Sequence, residues 1–314
     1  MRPQRHYALV VLGLLAACVG RLGAQVRHEF SEMHMGLEVR IVLYAADDAR
    51  ARSAARAAFV RIAALEDIMS DYRPKSEMRR LERHVGEWVL VSDDLFRVLT
   101  RAVEVAAATD GAFDPTVAPL VALWREARRV GRLPRDVLLD SARVLVDWRR
   151  ISLDTAGRRV RLSGFGTRLD LGGIAKGDIV HQAVITLRAH GVASALVEAG
   201  GDMAVGDSPP GPPGWRIDAP AGDSIVQARA SALANAVIST SGPGAQFVEI
   251  GGMRYSHVVD PRTGIGLTSG AQATVIAANG ALADALSTAL TVIDSEGARR
   301  VLAKYAGVTA SVKR

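Results

Sequence analysis

Asp284 and Thr288 lie four residues apart in Ala283-Asp-Ala-Leu-Ser-Thr-Ala-Leu290, a spacing that puts both on one helix face, one turn apart. The surrounding positions are nearly all Ala and Leu, so a carboxylate and a hydroxyl sit within a buried or cleft-facing surface. An ionised carboxylate there is costly unless it is paired or bound to a metal. Thr288 can bond a carbonyl one turn back, and Asp284 can meet an arginine. Such an oxygen pair also suits a hard cation such as magnesium, which takes few protein ligands and fills its shell with phosphate and water.

A second chemistry-bearing stretch is Leu169-Asp-Leu-Gly-Gly-Ile-Ala-Lys-Gly177. It reads as a short apolar strand running through glycines into a helix with Ile179, Ala183, Val184 and Leu187 on its apolar side, ending at His190-Gly191. Glycines allow close backbone approach, and helix-start amides with the helix dipole favour an anion. An ordinary strand-to-helix connection fits equally well, and neither GxxxxGK[ST] nor GxGxxG is present. Three further segments stand out: Ser256-His257-Val-Val-Asp260-Pro-Arg-Thr-Gly264, the polar loop Ser70–Glu77 around Tyr72, and Ala112-Phe113-Asp114-Pro115-Thr116. Tyr72 is either part of a capping loop or a stacking surface for a planar ligand. Asp114 is either a helix cap or a ligand contact, with capping the simpler role.

The elements that must position these residues follow from periodicity. Glu38 to Tyr44 alternates as a strand, and Asp47-Asp48 opens a helix through Met69. Ser92 caps a second helix that closes at Asp110-Gly111, and Pro115 sits as the first residue of a third, with Leu120, Leu123 and Trp124 on it. Hairpins are expected over Ile151 to Leu162 and over Phe247 to Val259, the latter turning at Gly251-Gly252. Ala195-Leu-Val-Glu-Ala-Gly-Gly-Asp202 reads as a strand ending in two glycines and an acid. Ala236 to Ser241 and Ala271 to Ile276 are strands, and the last clear helix begins near Asn279. Hairpins argue against a purely parallel, doubly wound sheet. The expected fold class is α+β, one catalytic domain with a mixed, largely antiparallel sheet and flanking helices.

The chain of 314 residues carries a net charge of +6 and one cysteine. Its arginines are scattered without interleaved aromatics, which describes a solvated surface and not a nucleic-acid groove. Residues 1–24 read as an export signal: Arg2 and Arg5 precede an apolar run from Tyr7 to Val19 that is short for a permanent span. Cys18 follows Leu15-Ala16-Ala17, the small-residue pattern before an acylated cysteine; cleavage after Leu22-Gly23-Ala24 is the alternative. Either way residues 25–314 form the folded, exported part, with no cysteine pair for an internal disulfide.

Taken in order, Met35-Gly36, Ser70 to Glu77, Gly111 to Thr116, Leu169 to Gly177, Glu198 to Asp202, Ser256 to Gly264 and Ala283 to Leu290 resemble the FAD:protein FMN transferase family, historically called ApbE. The resemblance implies a single ApbE-like domain that binds FAD with Mg2+, breaks the pyrophosphate, joins FMN to a Thr or Ser of a partner flavoprotein and releases AMP. It implies metal ligation by the Ala175 carbonyl, Asp284 and Thr288. It implies a flavin nucleotide held by Met35, Tyr72, Ala112, Phe113 and Asp114, with Asp170, Lys176, Glu198, Gly200 and Gly201 along the pyrophosphate and adenosine. FAD would lie where the loops around Tyr72, Ala175 and His257 converge. His257 would be the general base, since imidazole titrates near working pH, with Asp260 orienting it or the metal. The acceptor would be an exported redox-complex subunit, and the enzyme would sit at the periplasmic face of a bacterial membrane, lipid-anchored at Cys18.

Two positions depart from the family pattern. His181 stands where an acid is usual, which bears on the adenosine contacts. Glu82 stands where asparagine is common, at a place where members differ between FMN transfer and FAD hydrolysis. A pyrophosphatase of the same fold is therefore an alternative, and a non-catalytic FAD-binding lipoprotein is another.

Overall fold

The structure is a computed structural model that describes residues 25–217, 232–242 and 247–314. The expected leader and Cys18 lie outside the described residues. No helix among the described residues is long and apolar enough to cross a membrane.

The chain opens with β1 (Val26–His34), β2 (Leu37–Ala45), α1 (Asp48–Met69), α2 (Glu77–Leu81) and β3 (Val89–Leu90). Next come α3 (Asp93–Ala108), α4 (Ala118–Val130), α5 (Asp136–Arg143), β4 (Ile151–Asp154), β5 (Arg159–Leu162) and α6 (Ala175–Ala189). Then follow β6 (Ala195–Ala199), β7 (Asp202–Val205), β8 (Ala236–Ser241), β9 (Phe247–Ile250) and β10 (Met253–Ser256). The last elements are β11 (Gln272–Ala277), α7 (Gly280–Val292), α8 (Ser295–Leu302) and β12 (Thr309–Lys313).

Seven strands form one sheet in the order β1-β2-β6-β7-β8-β11-β12, and every ladder in it is antiparallel. The α+β expectation therefore holds. Alternation divides the sheet. Val39, Ile41, Leu43, Val197, Ala204, Val237 and Val275 face the main core, which they share with buried residues of α1, α3, α6 and α7. Val42, Leu196, Val205, Ile238 and Ile276 face the other way, under Trp215 and Ile217. A satellite core under Leu120, Trp124 and Leu139 joins α4 and α5 to Val259 and, at its rim, Ile250 and Tyr255.

Caps set the helix starts as their sequences indicate: Asp47, Ser76, Ser92 and Asn279 each accept a backbone N–H three residues on. Two expectations fail because distant segments claim the backbone. The third helix begins at Ala118, with Pro119 in its first turn, and not at Pro115. Asp114 Oδ1 accepts the Thr116 N–H (2.8 Å) and hydroxyl (2.6 Å), and its Oδ2 accepts the Trp148 N–H (2.9 Å). The carboxylate thus closes a turn where the helix was expected. Leu169 to Leu171 is no strand either, because its backbone bonds elsewhere: Leu169 N–H donates to Glu82 (2.6 Å) and Asp170 N–H to the Pro115 carbonyl (2.9 Å). The glycine pair ending β6 makes a two-residue hairpin into β7, a strand not anticipated. Gly200 and Gly201 have φ of +56° and +95°, as a primed turn requires. Met35 (φ +54°) and Gly36 (φ +74°) turn β1 into β2 in the same way; β1 was also not anticipated.

Candidate active site

Period-two alternation places three polar residues on the helix-facing side of the sheet. Asp202 in β7 sits directly across from Ser239 in β8, and Ser241 follows two residues later. Asp202 and Ser239 are fully buried. The Ser239 hydroxyl donates to Asp202 Oδ1 and lies 3.2 Å from the Ser287 hydroxyl. Ser241 Oγ is 2.7 Å from Ser287 Oγ and 3.2 Å from Thr288 Oγ1.

Above this floor the first turn of α6 meets α7. Lys176 Nζ donates to Asp202 Oδ2 at 2.5 Å and lies 3.9 Å from Asp284 Oδ2. Gly177 N–H donates to Asp284 Oδ2 at 3.0 Å, so the buried carboxylate takes up one helix-start amide of α6. Glycine is needed at the contact: a Cβ on Gly173 would fall 2.9 Å from Thr288 Oγ1, and one on Gly177 would fall 2.7 Å from Asp284 Cβ. Burial, helped by the nearby Asp202 carboxylate, pushes the Asp284 carboxyl up to about 7. Lys176, the Gly177 amide and Ser239 oppose that rise without cancelling it. Burial works against the charge on Lys176, but Asp284 and Asp202 outweigh it and raise its pKa above the ordinary lysine value.

The donor set is Asp284 with the hydroxyls of Thr288, Ser287, Ser241 and Ser239, and Ala175 opens the adjoining helix. Among the described residues no three of His, Cys, Asp and Glu gather as a metal cluster. These are hard oxygen donors with a single carboxylate and incomplete charge compensation. They fit a magnesium-like ion that keeps water or phosphate in its shell, and not zinc or an all-protein calcium cage.

A second cluster adjoins along the chain. Tyr72 is 74% exposed, and the Arg125 guanidinium lies 4.7 Å from its ring centroid. Arg125 also reaches Asp71 (2.6 Å) and Asp170 (3.5 Å). Burial, then the neighbouring Asp71 carboxylate, raises the Asp170 pKa, while Gly172 N–H and Arg125 pull it back. Asp170 Oδ1 accepts the Gly172 N–H at 2.8 Å, which shapes the turn into α6. An exposed aromatic beside a partly paired guanidinium can hold a planar, anionic ligand. Glu82 holds this region from behind. Its buried carboxylate takes Arg79 (2.7 and 2.8 Å), Arg168 (2.8 Å) and the Leu169 N–H.

Other expected residues lie differently. Ala112 and Phe113 are buried, so Phe113 gives its ring to the core, which leaves only its backbone for any ligand. Burial raises the Asp114 pKa, with its turn bonds opposing. Behind this segment a cavity of about 340 Å³ opens between Asp110, Asp114, Trp148 and Arg262. His257 follows β10 and is half-buried. Three residues on, Asp260 is buried with both oxygens on Arg262, at 3.0 Å each. Met35 packs its side chain on the main core from its turn. Glu198 pairs with Arg40 across β2 and β6, at 2.5 and 3.1 Å, on the sheet face opposite Lys176 and Asp284. The structure thus brings together Ala175, Lys176, Asp284 and Thr288, and separately Tyr72 and Asp170. It sends the Glu198 side chain elsewhere.

Asp202, Ser239, Ser241, Ser287 and Arg125 were not singled out as site residues. The alternation Ser239-Thr240-Ser241 in a strand, and Ser287 beside Thr288 in an apolar helix, were the available signals. Arg125 had none beyond its place in a basic helix.

Comparison with known proteins follows the same lines. The ApbE family profile matches residues 35–312. The FAD:protein FMN transferase of Treponema pallidum (strain Nichols) is 29% identical over 326 aligned positions, covering 97% of this chain and 90% of that protein. That of Haemophilus influenzae is 32% identical over 257 residues, covering 77% and 74%. Among solved structures, Pseudomonas stutzeri flavinyl transferase ApbE in its apo form superposes with a TM-score of 0.78 at 27% identity, over 92% of this chain and 91% of that one. The flavin transferase ApbE of Vibrio cholerae gives 0.78 at 28% identity, over 91% and 93%. A profile match from the first hairpin to the last strand, together with one shared fold, means that this chain belongs to the ApbE family.

Proposed function

We propose that this protein is a magnesium-dependent FAD:protein FMN transferase. The observation that carries the reading is the oxygen set of buried Asp284, half-buried Thr288 and their serine neighbours under the first turn of α6, in a chain of this family. The hydroxyl oxygen of an acceptor Thr or Ser attacks the FMN phosphorus of FAD. The bond from that phosphorus to the bridging oxygen breaks, and AMP leaves carrying the bridging oxygen. Magnesium held by Asp284, Thr288 and the Ala175 carbonyl would neutralise pyrophosphate charge and ease departure of the leaving phosphate.

The chain's own residues do the rest. Lys176 adds positive charge beside the same carboxylate, within reach of a phosphate. Tyr72 and Arg125 offer a stacking face and a cation for the flavin nucleotide, with Asp170 and the backbone of residues 112–114 bordering it. His257 takes the proton from the attacking hydroxyl. Asp260 fixes the loop after His257 through Arg262. The enzyme is exported and lipid-anchored at Cys18, and its acceptor is an exported flavoprotein subunit of a redox complex. Glu82, the residue behind the hydrolase alternative, has its carboxylate committed to Arg79, Arg168 and the Leu169 N–H.

The test incubates the mature protein with FAD, Mg2+ and a threonine-containing acceptor domain, following AMP release and in-gel flavin fluorescence. The expected result is a fluorescent acceptor and stoichiometric AMP, both lost in Asp284→Ala and His257→Ala. AMP without fluorescence on two different acceptors would replace transfer by hydrolysis. Tight FAD binding with neither product would leave a carrier.

A further inference from the structure

α6 and α7 carry all three positions assigned to the metal, and they cross where both are bare backbone. A Cβ on Gly177 would collide with the Gly280 carbonyl oxygen, and a Cβ on Gly280 would collide with that of Gly177 and fall 2.8 Å from His181 Cβ. Helices normally set their register by interlocking side chains, and at this contact point only backbone meets backbone. Polar ties fix the register there. One is Gly177 N–H to Asp284. The other joins the next turn of α6 to the very start of α7: Gly280 N–H donates to His181 Nδ1 at 3.3 Å.

That N–H is one of the orphan donors of the α7 start. The cap residue Asn279 spends its side chain on Leu282 N–H (2.9 Å), which leaves the Gly280 donor to His181. The turn of α6 that precedes His181 is itself anchored. Its neighbour Asp178, buried in the first turn of α6, takes Arg97 at 2.7 and 3.4 Å. Arg97 also reaches Asp94 at 2.6 Å, and Asp94 takes Arg61 at 2.5 and 2.6 Å. This chain of charges ties α6 to α3 and α1. Burial lowers the His181 pKa, with Arg97 acting in the same direction and Asp178 against it, so Nδ1 keeps its lone pair at neutral pH. A neutral imidazole supplies the acceptor without adding a second negative charge beside Asp178.

We propose that His181 is a positioning residue for the divalent-cation site, fixing the register of α7 on α6 through the Gly280 N–H and hence the place of Asp284 against the first turn of α6. The inference rests on the metal-dependent reading above. A slip of one residue along the axis moves a side chain by about 1.5 Å, far outside the tolerance of about 0.5 Å for a metal or catalytic constellation.

The test titrates Mn2+ alone into the full mature chain and follows loss of the free-ion EPR signal, for wild type, His181→Ala, His181→Asn, His181→Gln and Asp284→Ala. Asn presents an acceptor where Nδ1 sits, whereas Gln reaches the Nε2 position. Residues that orient metal ligands typically change affinity by about 10- to 100-fold, and that loss is expected in His181→Ala and His181→Gln. His181→Asn should recover to within a few-fold of wild type, and Asp284→Ala should not bind. Wild-type affinity in His181→Ala, with Asp284→Ala dead, would overturn the positioning role alone. Equal loss in the Asn and Gln variants would overturn it too, and that pair decides the matter if the Ala variant does not fold. Wild-type Mn2+ affinity in Asp284→Ala would overturn the metal reading and this inference with it.

Discussion

Asp284 is held in a state that the isolated protein pays for. Its carboxyl titrates at about 7 in the fold against 3.8 as an unperturbed acid. A folded-state pKa above the unfolded one means that the ionised acid opposes folding. That opposition is absent below the unfolded value, grows between the two, and is complete above the folded one. Metal-free wild type should therefore lose melting temperature relative to Asp284→Asn as pH rises from about 5 to about 8. At the upper pH the variant should be the more stable protein, measured by differential scanning fluorimetry in chelator. Magnesium should then raise the wild-type melting temperature and leave the variant unmoved. Two curves that stay parallel across the range would mean that Asp284 is already compensated by Lys176 and the Gly177 amide. The same residue would thus be a cost to stability and, on the proposed reading, the group that attracts the cation.

At the scale of elements, the decisive feature is the crossing of α6 and α7. Gly280→Ala pushes a methyl into the Gly177 carbonyl, and backbone cannot give way as a side-chain tip can. Overpacking of this kind costs about 1–3 kcal/mol, to be read from urea denaturation. The loss in metal-dependent AMP release should exceed what that destabilisation explains, because the helices that separate are those holding Asp284 and Ala175. Normal turnover in a folded Gly280→Ala variant would mean that the helix spacing is not what sets the site. The crossing also clarifies the Gly-rich stretch. Its glycines serve contact with α7 as much as approach to a ligand. Gly173 makes room for Thr288 and Gly177 for Gly280, so the sequence signature of an anion site is here also the signature of tight helix packing.

At the scale of the whole molecule, the antiparallel sheet supplies the floor and the helix layer the walls, and the candidate site draws its groups from both. Asp202, Ser239 and Ser241 belong to the sheet, Lys176 and Asp284 to the helices, and Tyr72 and Arg125 to a loop and to α4 of the satellite layer. On the proposed reading FAD and the cation would meet protein groups from separate layers, and each should then improve the other's binding by the same factor. Added together, FAD and Mg2+ should raise the melting temperature by more than the sum of their separate shifts. Asp284→Ala should keep the FAD shift and lose the excess. Strictly additive shifts would place the two ligands at independent sites.

Much of this protein was legible in the residues. Alternating and helical periods placed β2, β8, β11, α1, α3 and α7, because each buries one face of a regular element, and caps such as Ser92 and Asn279 marked their starts. Asp284 and Thr288 stood out because an apolar helix makes a carboxylate conspicuous. Other features depended on contacts distant in sequence. Pro115 looked like a helix start, but Asp114 bonds Trp148, 34 residues away, and shifts the start to Ala118. Glu82 stands out in the sequence only as a departure, and its partners Arg168 and Leu169 are visible only in the fold. Glu198 looked like a ligand contact, yet one step of strand alternation turns it onto Arg40. The sequence by itself determined which segments are regular and which polar residues sit at buried positions, since period and burial cost are local. Only the tertiary structure decided which of those residues share a site, because pairing Asp202 with Lys176, or Gly280 with His181, depends on strand register and helix crossing, which are set by packing between segments far apart in the chain.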